Sequence, residues 1–288
     1  MQRQPKTLQD AVQLVQLTEL ISTTSRRLLS EWAEEAKTSA EEDTESKSLP
    51  SQALHEAQRT LLAAAGLLTE LVSEPSSRLL EVSSSYFEAR ALHIAAEKRI
   101  PDLLAGKSGG VEVGFLGEKT GIEPRKLSRL LRCLCSIHVF KEVRPDCFAN
   151  NSVSAALVSN EPLRAYILMF GLDLYSASDH LPRALSDPKK GPSYDVTETA
   201  FQDAVGTSKP RWEWLEEKVP AEELRSKSSG YPGVPGLDMA PRNGETLISR
   251  PELAVFGLAM LGGGRVFGVA HIYGMVNLEI LSRLPSQC

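Results

Sequence analysis

Residues Val111–Asn150 read VEVGFLGEKTGIEPRKLSRLLRCLCSIHVFKEVRPDCFAN, and the order of patterns within them decides the fold. A short helix over about Glu112–Lys119 meets a tight turn at Thr120-Gly121. Pro124 then opens a second helix, because a proline at the first helical position gives up only an amide that has no partner there. Leu127, Leu130, Leu131 and Leu134 fall on one face of that helix. After Ile137 the alternation Val139–Val143, a turn at Arg144-Pro145-Asp146 and the stretch Cys147-Phe148-Ala149 predict a two-stranded hairpin. Two helices about a turn followed by a hairpin spell a winged helix-turn-helix. The expected fold is therefore mainly α, with a helical dimerisation region, the winged helix-turn-helix and a small β-hairpin.

Working outward, Leu14, Leu17, Ile21 and Leu28 recur at mostly three- and four-residue spacing and predict an amphipathic helix over about Leu8–Lys37. The acidic, serine-rich stretch 38–51 that follows reads as a linker ending near Pro50, and a second helix rich in Leu and Ala is expected over Gln52–Val72. Two apolar-faced helices on a linker cannot bury much surface by themselves, so a second layer or a second copy of the chain is expected to cover them. A further helix, YFEARALHIAAEKR, is expected from Ser85 to Pro101. Downstream, helical patterns cover Ala165–Leu174, Ser178–Leu185, Ala200–Val205 and Trp212–Glu217. Gly, Pro and Ser crowd Ser226–Ser249, which reads as a long loop or a boundary, and an apolar segment is expected to close at Gly262-Gly263-Gly264. The expected organisation is 1–75 (N-terminal helices), 76–160 (winged helix), 161–225 (helical region), 226–273 (loop and helix) and 274–288 (an atypical tail).

Composition narrows the function classes. The chain has 288 residues, 42% hydrophobic, with a formal charge of −5 and a pI near 5.7, which opposes bulk attraction to nucleic acid or to an acidic membrane face. Cys133, Cys135, Cys147 and Cys288 form no spaced framework and read as reduced thiols, consistent with a cytoplasmic setting. The polar start MQRQPKTLQD is no signal peptide, and the longest apolar stretch, near Leu61–Val72, is too short to span a bilayer.

Several patterns carry possible chemistry, and each has a plainer reading. Arg125, Arg129 and Arg132 lie at i, i+4, i+7 opposite the leucines, as a DNA recognition helix would place them. Yet Val111–Asn150 holds seven Lys or Arg against five Asp or Glu, a weak surplus for a phosphate-binding surface, so a solvated face is expected. Gly106-Lys107-Ser108-Gly109-Gly110 has G-x-S-x-G spacing, but a nucleophile elbow needs a strand before the serine and this one follows a helix. The same GKS is no phosphate loop, because Pro101 stands where the first glycine belongs. Cys133, Cys135, His138 and Cys147 invite a zinc site, yet residues two apart on a helix point apart, so packed thiols are expected. His93, His180 and His271 match no acid and nucleophile pattern and read as packed histidines. Gly262-Gly263-Gly264 with Gly268 is not G-x-G-x-x-G, since Phe267 fills the third glycine's place; close helix packing or a turn is the expected use.

Across about Ser83–Tyr273 the chain resembles the fungal small-molecule O-methyltransferases that use S-adenosylmethionine. The stretches YFEARALHIAAEKRIPDLL, KEVRPDCFANN, SYDVTETAFQDAVGT with WEWL, GYPGVPGLD and RPELAVFGLAMLGGGRVFGVAHIY carry the likeness. The resemblance implies a homodimer in which the winged helix is a scaffold and helps wall the pocket of a small-molecule substrate. It also implies a Rossmann-like domain with a Gly-rich donor loop and a catalytic histidine beyond Tyr273. After that residue the sequence reads GMVNLEILSRLPSQC, too short for a strand-helix-strand unit of roughly 30 residues, so the expectation is a chain with the methyltransferase domain absent or only begun. No catalytic, cofactor-binding or metal residue is carried over, and no S-adenosylmethionine binding is expected of these residues alone. The alternative is a non-catalytic winged-helix scaffold or regulatory protein.

Overall fold

The computed structural model describes residues 6–41, 50–220 and 247–273, and the described residues are mostly helical. Two compact units emerge, residues 1–83 with 266–288 and residues 84–265.

In the first unit, α1 (Leu8–Glu41) and α2 (Gln52–Val72) pack side by side. Ser51 Oγ donates to Glu31 at 2.9 Å and Arg27 reaches Glu56 at 3.4 Å, so the two helices run in opposite directions. Ser51 also caps α2 by accepting from the Leu54 amide at 3.0 Å, satisfying one of the orphan donors of the first turn. Leu28, Leu54 and Ala57 are buried between them. The first helix outruns its predicted end: Thr38–Glu41 remain helical, and the rest of the predicted linker up to residue 49 lies outside the described residues. A third helix, α3 (Pro75–Ser84), starts where the Glu74 carboxylate accepts from the Ser77 amide.

The second unit opens with α4 (Tyr86–Glu97) and the short α5 (Ile100–Leu103). The sequence predicts one helix up to Pro101; it breaks earlier, at Lys98-Arg99, where Arg99 takes φ +51°. Pro101 then sits in the first turn of α5, a place its ring tolerates. Next come β1 (Val111–Glu112), α6 (Val113–Thr120), α7 (Pro124–Ser136), β2 (Phe140–Arg144) and β3 (Cys147–Asn150). Gly121, at φ +72°, ends α6, and its amide donates to the Gly117 carbonyl. The sheet has three strands in the order β1-β3-β2, not two: Val111 pairs with Phe148 and Glu112 with Cys147. Glu112 is thus strand, where a helix start is predicted, because two residues carry no alternation to read. Leu116, Leu127, Leu131, Leu134, Phe140 and Phe148 meet Ile100 and Leu104 in the main core. Each such side chain contributes about 1.5–3 kcal/mol by leaving water.

After α8 (Ser152–Ala155), α9 (Glu161–Met169) runs into a wide turn at Phe170–Leu174, in which Leu172 leaves helical geometry at φ −87°, ψ −122°. Then α10 (Tyr175–Ser186), α11 (Ala200–Val205) and α12 (Arg211–Glu216) follow close to their predicted spans. Strands β4 (Lys218–Pro220) and β5 (Leu247–Ser249) pair antiparallel. The predicted loop at 226–246 lies outside the described residues, and Leu247–Ser249, its predicted end, are strand. The last helix, α13 (Pro251–Tyr273), corrects another expectation. It passes straight through Gly262-Gly263-Gly264, so the glycines do not close the apolar segment. They let α13 approach α9: a Cβ on Gly262 would stand 2.3 Å from the Pro162 carbonyl oxygen, and one on Gly263 2.6 Å from the Tyr166 ring. The tail at 274–288 lies outside the described residues.

Candidate functional site

The arginine stripe of α7 is partly consumed by the chain itself. Arg132 forks onto Glu142 of β2, with Nη2 at 2.6 Å and Nε at 2.9 Å, and reaches Asp146 at 3.1 Å. That pairing holds the Glu142 carboxyl below its ordinary range. Asp146 occupies the hairpin turn at φ +58°, accepts from Ser128 Oγ at 2.5 Å, and offers its carbonyl to the Val113 amide at 2.8 Å. One aspartate thereby joins the hairpin to both helices. Arg125 and Arg129 stay exposed on the opposite side from Leu127, Leu131 and Leu134.

Cys133 and Cys135 are half-buried on α7, and loss of water pushes both thiols up from their ordinary range. Cys147 is buried in β3, near the Gly109 carbonyl. Among the described residues no three His, Cys, Asp or Glu side chains gather as a metal site would require. Ser108 lies in the turn after α5, between Gly106 at φ +71° and Gly110 at φ +85°, and no strand leads into it. A Cβ on Gly110 would meet Cys147 Sγ at 2.7 Å, so the glycine lets the turn close against β3. His180 lines a cleft of about 300 Å³ with Arg183, Asp187, Lys190 and Asp203. The side chain of His271 lies outside the described residues.

His93 is fully buried in α4 beneath the wide turn. A Cβ on Gly171 would fall 1.2 Å from His93 Nδ1, so the imidazole occupies the space where any other residue at 171 would place its side chain. Arg90 Nη1 donates to the Gly171 carbonyl at 3.1 Å and its guanidinium lies 3.9 Å from the Tyr175 ring centre. Burial, then the charges of Arg90 and Arg164, lower the His93 pKa to about 4. Glu97, 3.8 Å away, does not reverse this.

The same turn aims Asp173 inward, where Arg211 of α12 takes it with Nε at 2.5 Å and Nη2 at 3.4 Å. Arg250, just before α13, donates to Glu217 at 2.8 Å and lies 4.2 Å from the Trp214 ring centre. Trp212 meets Phe256 edge-on at 4.8 Å, and Trp214 meets Phe201 at 5.3 Å. Glu252, in the first turn of α13, is buried among these elements. Sequence reading missed Arg164, Asp173, Arg211 and Glu252. Glu252 lies in the RPEL stretch and Arg211 stands just before WEWL, but nothing in the spacing shows which acid meets which base, and no pattern singles out Arg164 or Asp173. Chemically, the described residues of the α12–α13 region offer aromatic edges, two paired arginines and one buried carboxyl.

Residues 80–160 match the family model described as the O-methyltransferase dimerisation domain. O-methyltransferase gedA of Aspergillus terreus is 54% identical over 282 residues, covering 95% of this chain and 58% of the relative. O-methyltransferase tpcA of Aspergillus fumigatus is 54% identical over 277 residues, with the same 95% and 58% coverage. The chain therefore spans a little over half the length of these relatives. Among solved structures, OxaC superposes with a TM-score of 0.57 at 14% identity, over 72% of this chain and 47% of that one, a likeness of fold.

Proposed function

We infer that this chain, which belongs to the O-methyltransferase family, serves the transfer of a methyl group from S-adenosylmethionine to a hydroxyl of a small molecule of secondary metabolism. The observation that carries this reading is 54% identity to gedA across 95% of the chain. In such a reaction a general base takes the hydroxyl proton as the oxygen attacks the donor methyl in line. No residue described above is assigned that role. To residues 80–160 we assign a winged-helix scaffold for a homodimer, and to the α12–α13 region a share in walling the substrate pocket.

The N-terminal helices carry a dimer surface of their own. At 100° per residue, Leu8, Val12, Val15 and Leu29 fall on one side of α1 and are exposed, opposite Leu17, Thr24 and Leu28, which are buried. An amphipathic helix with a second apolar stripe needs a second cover, and another copy of the chain supplies it.

Two measurements test the proposal. Sedimentation at micromolar concentration should show a dimer that shifts toward monomer or aggregate when residues 1–75 are deleted; a stable full-length monomer contradicts it. A chimera in which residues 8–273 replace the matching region of gedA should transfer labelled methyl groups from S-adenosylmethionine to gedA's acceptor. A folded, dimeric chimera without transfer contradicts the assignment.

A further inference from the structure

Four residues from three elements touch in series between the wide turn and α13. Asp173, on the turn, holds Arg211 of α12 through Nε at 2.5 Å and Nη2 at 3.4 Å. The Arg211 guanidinium also lies 5.5 Å from the centre of the Phe256 ring of α13, and that ring meets Trp212 edge-on at 4.8 Å. The two ends of the series differ in exposure: Asp173 is 6% exposed, whereas Trp212 leaves 55% of its surface in water. Asp173 reaches inward because the turn leaves helical geometry at Leu172, and wide turns of this kind recur at functional sites. Helix α12 cannot hold the tryptophan in place by itself. It has only six residues, too few for a helix to be stable alone, and Pro210 before it offers no side-chain cap. Its inward side is fixed by Leu215 and by Trp214, which packs on Phe201. Arg211 stands four residues before Leu215, hence on the same side, and its bond to Asp173 ties down the first turn. Trp212, two residues before Trp214, lies on the opposite side, against Phe256.

We propose that Asp173 is a positioning residue for the acceptor: by anchoring Arg211 it sets the rotation of α12, and so fixes Trp212 against Phe256 as an aromatic edge of the substrate pocket. The proposal rests on the methyl-transfer reading above, in which the α12–α13 region walls that pocket. Asp173 acts through Arg211, and Trp212 is the side chain that meets the acceptor, with more than half of its surface free to be covered.

The chain's three tryptophans, Trp32, Trp212 and Trp214, give three fluorine resonances after 5-fluorotryptophan labelling. Asp173→Asn should shift that of Trp212 and leave that of Trp32 in place. Arg211→Lys, which keeps the charge and loses the fork, should shift it in a protein whose buried aspartate is untouched. A Trp212 resonance unmoved in both variants overturns the proposal. In the gedA chimera, Asp173→Asn should raise KM for the acceptor roughly threefold to tenfold, the scale of one ring contact, with kcat and KM for S-adenosylmethionine within about twofold. In a Trp212→Ala background it should raise that KM no further. Equal losses with and without Trp212, or a fall in kcat alone, overturn the proposal. A parent chimera without transfer sinks the methyl-transfer reading instead, and the fluorine spectra then decide the positioning by themselves.

Discussion

Arg164 Nε donates to the Ala96 carbonyl at 2.9 Å, so a side chain from α9 closes the C-terminal end of α4. The last turn of α4 contains no basic residue of its own, and the Ala96 carbonyl also accepts the Arg99 amide at 3.2 Å, so Arg164 adds a charged donor to an end that the backbone already closes in part. Arg164 Nη2 adds a longer contact to the Glu97 carbonyl at 3.4 Å, and Nη1 reaches Glu161 at 3.3 Å. Glu161 in turn binds Arg99, the residue at which the chain leaves α4 in left-handed geometry.

Arg164→Ala should therefore lower folding stability by about 2–4 kcal/mol, since it empties a buried site and removes the charged hydrogen bonds to Ala96, Glu97 and Glu161. Arg164→Lys should recover little, because an ammonium cannot span partners on both α4 and α9 as the planar fork does. Urea titration checks both; a lysine variant as stable as the parent would contradict the fork.

Gly171→Ala should cost about 1–3 kcal/mol by overpacking against the His93 ring. In combination with His93→Ala the alanine at 171 should be far less harmful than it is alone. A double-mutant cycle measures this, and additive losses would show that the two residues do not share one space.

His93 makes the fold sensitive to acid. The unfolded chain takes up this proton near pH 6.5, the folded one near 4, so stability is complete above pH 6.5 and is lost as pH falls from there to 4. The difference amounts to about 3 kcal/mol. His93→Asn should flatten the pH dependence of unfolding free energy between pH 4 and 6.5; an unchanged slope would place the acid sensitivity elsewhere.

Two neighbouring glycines of α13 should respond in opposite ways. Gly262→Ala brings a methyl group against the Pro162 backbone, which cannot swing aside, and should destabilise by about 1–3 kcal/mol. Gly264→Ala meets open space and should stabilise by up to about 1 kcal/mol through helix propensity. Thermal melts of the pair separate packing from propensity.

The sequence discloses elements whose signals are local. Pro124 and four leucines are enough to place α7, and α2 spans Gln52–Val72 as its Leu- and Ala-rich pattern predicts. What it conceals is pairing between distant residues. Arg164 looks like a surface charge of a short helix until α4 is beside it. Asp173 looks solvated until the wide turn directs it toward Arg211. The glycine run shows a related limit: local propensity argues for an end, whereas tertiary contact with α9 rewards the missing side chains and keeps the helix going. Arg132 belongs to the same class: it reads as part of a solvated stripe until the hairpin places Glu142 and Asp146 beside it.

The third strand sets an order in time. Strands β2 and β3 are joined by a short turn and can zip together within microseconds, while β1 reaches β3 only after α6, α7 and the hairpin have been brought into place. By sequence separation its pairing should be a late event, largely absent from the folding transition state. Weakening it with Val111→Ala should hasten unfolding and leave refolding nearly unchanged, so the lifetime of the folded unit is governed by its smallest strand.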